Sequence, residues 1–164
     1  MTQSPSSIVP ITMVPQSTEM HVSLRVHDLA VSTEFYTKFF GVLPKDILPR
    51  YTTFIVPHLN LNFVIVINDK GEKLDTYSLH HLGLGLSDKQ AVIDTYHRAL
   101  AMGATVVKPP RTTWRGTPEH ELWLRDPTGY DIEIYARLTP DELAQMPADK
   151  EPVFLVPGTE PKPA

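Results

Sequence analysis

Two histidines and one glutamate in this 164-residue chain each sit beside alternating apolar and polar residues. His21 lies in Met20-His21-Val22-Ser23-Leu24-Arg25-Val26, His81 precedes Leu82-Gly83-Leu84-Gly85-Leu86, and Glu133 stands between Ile132 and Ile134. Strict alternation marks a strand with one face on a core, so the apolar side packs and the opposite side carries one good metal ligand each time. Two imidazoles and one carboxylate make a three-point site that leaves coordination positions open for water, oxygen or substrate. A carboxylate inside a sheet-lined cavity costs several kcal/mol unless a counter-charge and hydrogen bonds offset it, and a divalent ion is an effective counter-charge. The alternative is that Glu133 pairs with Arg25 or Arg137 while His21 and His81 are hydrogen-bonded core or rim residues.

Composition narrows the chemistry. There are no cysteines, so a metal must be held by imidazole and oxygen, which suits Fe(II), Mn(II), Ni(II) or Zn(II). A net charge of −4 and a pI near 5.9 give no broad positive field, so neither nucleic acid nor a membrane surface is expected as a partner. The N-terminus lacks a signal peptide's basic start and apolar stretch, and no run reaches membrane-spanning length, so a cytoplasmic location is expected.

The ligands need elements to position them. Residues 1–18 are rich in Pro, Ser and Thr and form a flexible arm, residues 19–138 form one domain, and residues 139–164 form a Pro-rich tail. Asp28 caps a helix to Phe40 with Gly41 as its stop, and Tyr51 to Val56 and Leu61 to Ile67 are strands. The order then repeats: a strand from Leu82 to Leu86, a capping box of Ser87 with Gln90, a helix with Val92, Ile93, Tyr96 and Leu100 on one stripe, a strand over Thr105–Lys108, and a hairpin from His120. His21 and His81, Asp28 and Asp88, and Tyr36 and Tyr96 are each 60 residues apart, so we read two duplicated βαβββ modules, about 19–72 and 76–138.

Paired, their sheets form a curved half-barrel with helices outside, an α+β fold whose cavity collects His21, His81 and Glu133. A two-residue turn at Pro127-Thr128 brings His120 onto that cavity face opposite Tyr135, and a one-residue slip turns it away. Gly83 and Gly85 leave room for a ligand or mark a tight bend. His80 is expected to point away from His81. The apolar island Val153 to Val156 docks on the domain or on a partner subunit.

The pieces His21-Val22-Ser23-Leu24-Arg25-Val26 with Asp28-Leu29, Phe35-Tyr36, Phe39-Phe40-Gly41, His81-Leu82-Gly83 and Asp126-Pro127-Thr128-Gly129 before Glu133 resemble the vicinal oxygen chelate superfamily of glyoxalases, bleomycin-resistance proteins and extradiol dioxygenases. Tyr51 to Phe54 and the Pro57 to Leu61 turn are similar to its carbon-arsenic lyase and cadmium-induced branch. That branch uses Fe(II) and oxygen, and it captures arsenic through cysteines after a Thr-Thr pair. Here Thr112-Thr113 is followed by Trp114-Arg115, so the arsenical substrate does not carry over.

The resemblance implies a homodimer with His21, His81 and Glu133 as metal ligands and Fe(II) ahead of Mn(II), Ni(II) or Zn(II). The leading expectation is oxygen-dependent cleavage of a small, aromatic-type substrate. Arg25, His120 and Tyr135 are candidates to orient substrate or move protons, and Trp114 and Arg115 to cover the pocket. A metal-dependent lyase or isomerase and a metal-free small-molecule binder of the bleomycin-resistance type are the alternatives.

Overall fold

The computed structural model describes residues 17–161, so all but the last two residues of the expected N-terminal arm lie outside it. The first module runs β1 (Met20–Val26), α1 (Leu29–Phe40), β2 (Asp46–Ile47), β3 (Tyr51–Val56) and β4 (Leu61–Ile67). The second runs β5 (Leu82–Leu86), α2 (Lys89–Ala101), β6 (Thr105–Thr113), β7 (Glu119–Arg125) and β8 (Asp131–Arg137), followed by α3 (Pro140–Leu143) and β9 (Val153–Phe154). One sheet has the order β1-β4-β3-β2 and the other β5-β8-β7-β6-β9. In each, the first strand runs parallel to the module's last, β1 to β4 and β5 to β8. The architecture is α+β with no closed barrel, and β1 and β5 are both sheet-edge strands.

Local chemistry sets the helix ends. Asp28 accepts the Val31 N–H at 3.0 Å and Asp88 accepts the Ala91 N–H at 2.9 Å, so the two aspartates 60 residues apart are equivalent caps. Asp88, not Ser87, is therefore the second cap; the Ser87 hydroxyl donates to it. Gly41 closes α1 in the left-handed region at φ 68°, which favours glycine. Leu100, placed above on the buried stripe of α2, is instead exposed, and its neighbour Ala99 packs.

Both modules share one core. Tyr36, Phe39 and Phe40 of α1 cluster with Leu24, Val26, Phe54, Phe63 and Ile65 and also with Leu122, Leu124, Ile132 and Ile134. Tyr36 is fully buried, and its hydroxyl donates to Asp126 at 2.9 Å. Asp126 also accepts the N–H groups of Thr128, Gly129 and Tyr130, and Tyr130 donates to the Arg25 carbonyl at 3.1 Å. The β7–β8 connection thus fastens one module to the other. Burial, and then the Asp126 charge, push the Tyr36 hydroxyl well above its ordinary range.

Three second-module features differ from expectation or resolve it. The hairpin closes on five residues, 126–130, with Arg125 opposite Asp131, rather than on two. Strand β6 continues through Pro109 and Pro110 to Thr113 with register shifts on either side of Lys108, where bulges free the prolines from donating. The apolar island docks on the chain itself: β9 pairs with β6 at Arg111 and Thr112. No described helix is long and apolar enough to cross a membrane.

Candidate metal centre

Because the hairpin register places Trp123 opposite Glu133, side chains on β7 alternate the other way from a two-residue turn. Glu119, Glu121 and Trp123 join Glu133 and Tyr135 on one face, while His120, Leu122 and Leu124 turn to the core side with Ile132, Ile134 and Ala136. The Glu119, Glu121 and Glu133 carboxylates each bring an oxygen within 4.8 Å of the others. Arg111 and the Trp123 indole N–H hold Glu121, each at 2.7 Å, and Arg137 holds Glu119 at 2.8 Å.

Glu133, buried at 8% exposure, has one close polar partner among the described residues: His81 Nε2 lies 3.1 Å from its Oε2. Burial, then the Glu133 charge, raise the Glu119 carboxyl above its usual range against the pull of Arg137. Three carboxylates, two of them buried, against the two guanidinium groups of Arg111 and Arg137 are an environment that a cation relieves. His81 and Glu133 therefore fit a divalent ion as two of its ligands.

His80, expected to point away, turns back. It precedes the first residue of β5 and so escapes strand alternation, and its Nδ1 lies 2.7 Å from His81 Nδ1. One of these nitrogens must carry the proton and the other a lone pair, so the contact orients His81 with Nε2 toward Glu133. Both imidazoles meet the Trp123 ring edge-on. The glycines of β5 accommodate this assembly: a Cβ on Gly85 would meet the Tyr135 ring at 3.1 Å, and one on Gly83 would lie 3.6 Å from Tyr135, 3.8 Å from His81 and 3.9 Å from Glu133. The space they leave is filled by Tyr135.

Of the remaining candidates, only Tyr135 shares that face. His21 is exposed on β1 of the other sheet, opposite Asn62 of β4, and is not in the ligand cluster the described residues form. Arg25 is exposed on the same side of β1 as His21. Tyr135 does lie on the Glu133 face, with the Arg137 guanidinium 4.9 Å from its ring centroid. Trp114 is buried, and Arg115 pairs with Glu151 of the C-terminal segment at 2.6 Å.

His120, at 2% exposure, sits on the opposite side of the sheet. Its Nδ1 contacts the Thr112 hydroxyl at 2.9 Å and its Nε2 lies 3.2 Å from Glu142, which also meets Lys89 and completes a capping box with Thr139. The expectation that His120 shares the cavity face with Tyr135 is corrected, because the longer hairpin loop shifts the register by one and turns His120 to the core side, beside Thr112 and Glu142. The residues missed were Glu119, Glu121, Trp123 and His80. The first three do alternate in Glu119-His120-Glu121-Leu122-Trp123, but loop length decides which face joins Glu133.

Residues 20–134 match the sequence profile of the Glyoxalase/Bleomycin resistance protein/Dioxygenase superfamily. The chain is 29% identical over 116 residues to a trivalent organoarsenical cleaving enzyme of Thermomonospora curvata, covering 71% of this chain and 75% of that one. It is 30% identical over 129 residues to a probable lactoylglutathione lyase of Vibrio cholerae, covering 70% and 87%. The fold is similar to the crystal structure of a glyoxalase/bleomycin resistance protein from Albidiferax ferrireducens, with a TM-score of 0.59 at 24% identity over 74% of this chain and 100% of that one.

Proposed function

Because this chain belongs to the Glyoxalase/Bleomycin resistance protein/Dioxygenase superfamily, we propose that it is a metal-dependent enzyme cleaving a small molecule with dioxygen, at a site built on His81 and Glu133. The observation that carries this is Glu133, buried beside two other carboxylates with His81 as its close partner. The third ligand is His21 of a second copy. His21 is exposed and lies outside the carboxylate cluster the described residues form, and among the described residues β1 and β5 are sheet edges that a partner can approach. A homodimer with two such shared sites satisfies both facts.

Fe(II) is the ion proposed; at its open positions it would supply Lewis-acid charge and redox access to dioxygen. The chain's own groups do the rest. His80 keeps Nε2 of His81 directed at the site, Glu133 supplies anionic charge, and Tyr135, on the Glu133 face, is assigned the transfer of a proton at the reacting group. Arg25, near His21 on β1, enters with the partner and orients substrate. Cleavage of an organoarsenical through thiol capture is not proposed, because the chain has no cysteine.

The test is metal analysis of protein purified without chelators, then oxygen uptake with catechols. Bound iron with oxygen consumed is expected, and His81→Ala should lose both. Bound metal without oxygen uptake redirects the assignment to lyase or isomerase chemistry, toward which the similarity to a probable lactoylglutathione lyase points. A second reading rests on an apolar cavity of about 320 Å³ between the β1 and β5 edges, lined by Val22, Phe39, Phe63, Leu82 and Leu84 among others. It favours a metal-free binder of the bleomycin-resistance type, which predicts a thermal shift with an aromatic ligand and none with Fe(II), Mn(II), Ni(II) or Zn(II).

A further inference from the structure

On the polar face of the second sheet the charges pair off almost completely. Arg111 holds Glu121, Arg137 holds Glu119, and Arg125 grips Asp131 through two nitrogens at 2.7 and 3.2 Å. Two groups are left over: Glu133, which meets His81, and Lys108, whose ammonium has neither a carboxylate nor a hydrogen-bond acceptor among the described residues. Lys108 Nζ instead lies 4.1 Å from the centroid of the Trp123 ring. That ring is 4.9 Å from the His81 ring, so the ammonium stands within about 9 Å of the imidazole. A groove of about 570 Å³ opens beside it, with Thr76, His80, Lys108, Trp123 and the neutralised Arg125–Asp131 pair in its walls.

Resting on the metal-site reading above, we propose that this groove receives the anionic end of the substrate, a carboxylate on a small organic molecule, with Lys108 as its counter-charge and the reacting end reaching His81 and Glu133. The cation–π contact fixes the ammonium over the indole and leaves its N–H donors free, so an anion is bound without moving it. A carboxylate is favoured over a phosphate because the three arginines of this face, whose planar forks suit phosphate, are already engaged by carboxylates. What remains is a single point charge matched to a monoanion. A molecule of one ring spans the separation.

The test compares benzoate with its neutral isostere benzamide, following the Trp123 indole N–H by NMR, in protein with and without added Fe(II). Benzoate is expected to bind about tenfold more tightly, an advantage that falls with added salt. Lys108→Met should abolish it and Lys108→Arg should keep it. Equal affinities in the unaltered protein, or a preference that survives Lys108→Met, overturn the proposal. A preference intact in protein that takes up no divalent ion overturns the metal reading and leaves the anion groove standing; a metal-binding protein without the preference does the reverse.

Discussion

His81 and His80 differ at the scale of the single residue in what each can do. His81 presents Nε2 to Glu133 and Nδ1 to His80, the arrangement in which an outer partner fixes the tautomer of a ligating imidazole. His80→Ala should weaken divalent-metal affinity about tenfold, the low end of such effects because His80 is exposed. His80→Gln, which retains an acceptor, should recover part of it. Isothermal titration with Ni(II) or Co(II), together with the Co(II) absorption spectrum, measures this without reference to turnover. Gly85 makes the complementary point: Gly85→Ala should displace the Tyr135 ring, 3.1 Å from the added carbon, and shift the Tyr135 resonances even if the fold persists.

Element by element, two side chains act as fasteners. Asp126 binds the β7–β8 loop to itself and to Tyr36 of α1. Asp126→Ala strands a buried tyrosine hydroxyl and three backbone donors, and should cost about 3 kcal/mol in chemical denaturation. Glu142 ties α3 to β7 through His120 and to α2 through Lys89. The Thr139 N–H, and with it Lys89 and His120, lower its carboxyl from 4.5 to about 2. A depressed acid contributes stability that is fully present above the unfolded value and lost as pH falls through the folded one. The stability advantage of the protein over Glu142→Gln should therefore be complete at neutral pH, decline below about 4.5 and be gone near 2, as urea unfolding across that range would show.

For the whole molecule, the site proposed above predicts subunit sharing. His21 and the His81–Glu133 pair stand on different sheets, so His21→Ala and Glu133→Ala homodimers should each fail to bind metal with full affinity. Mixed after subunit exchange, they form heterodimers in which one of the two sites has an intact His21 from one chain and an intact Glu133 from the other. Recovery of about one ion per heterodimer, read by metal analysis of the mixture, is the expected result. No recovery, with the chain monomeric by light scattering, would exclude a shared site.

How much of this was legible in the residues follows from the range of each signal. The two βαβββ modules, the cap Asp28 and the strand spans of β1, β3 and β4 were, because alternation and capping are local properties of consecutive residues. That Glu133 faces away from the apolar side was local in the same sense. The partners of Glu133 were not. A hairpin loop three residues longer than supposed exchanges the faces of β7, bringing Glu119, Glu121 and Trp123 to Glu133 and sending His120 into the core. Chain reversal multiplies one residue of loop length into the orientation of a whole strand. The separation of His21 from His81 is likewise tertiary, since a repeat shows that two modules are alike and leaves open whether they meet within one chain or across two.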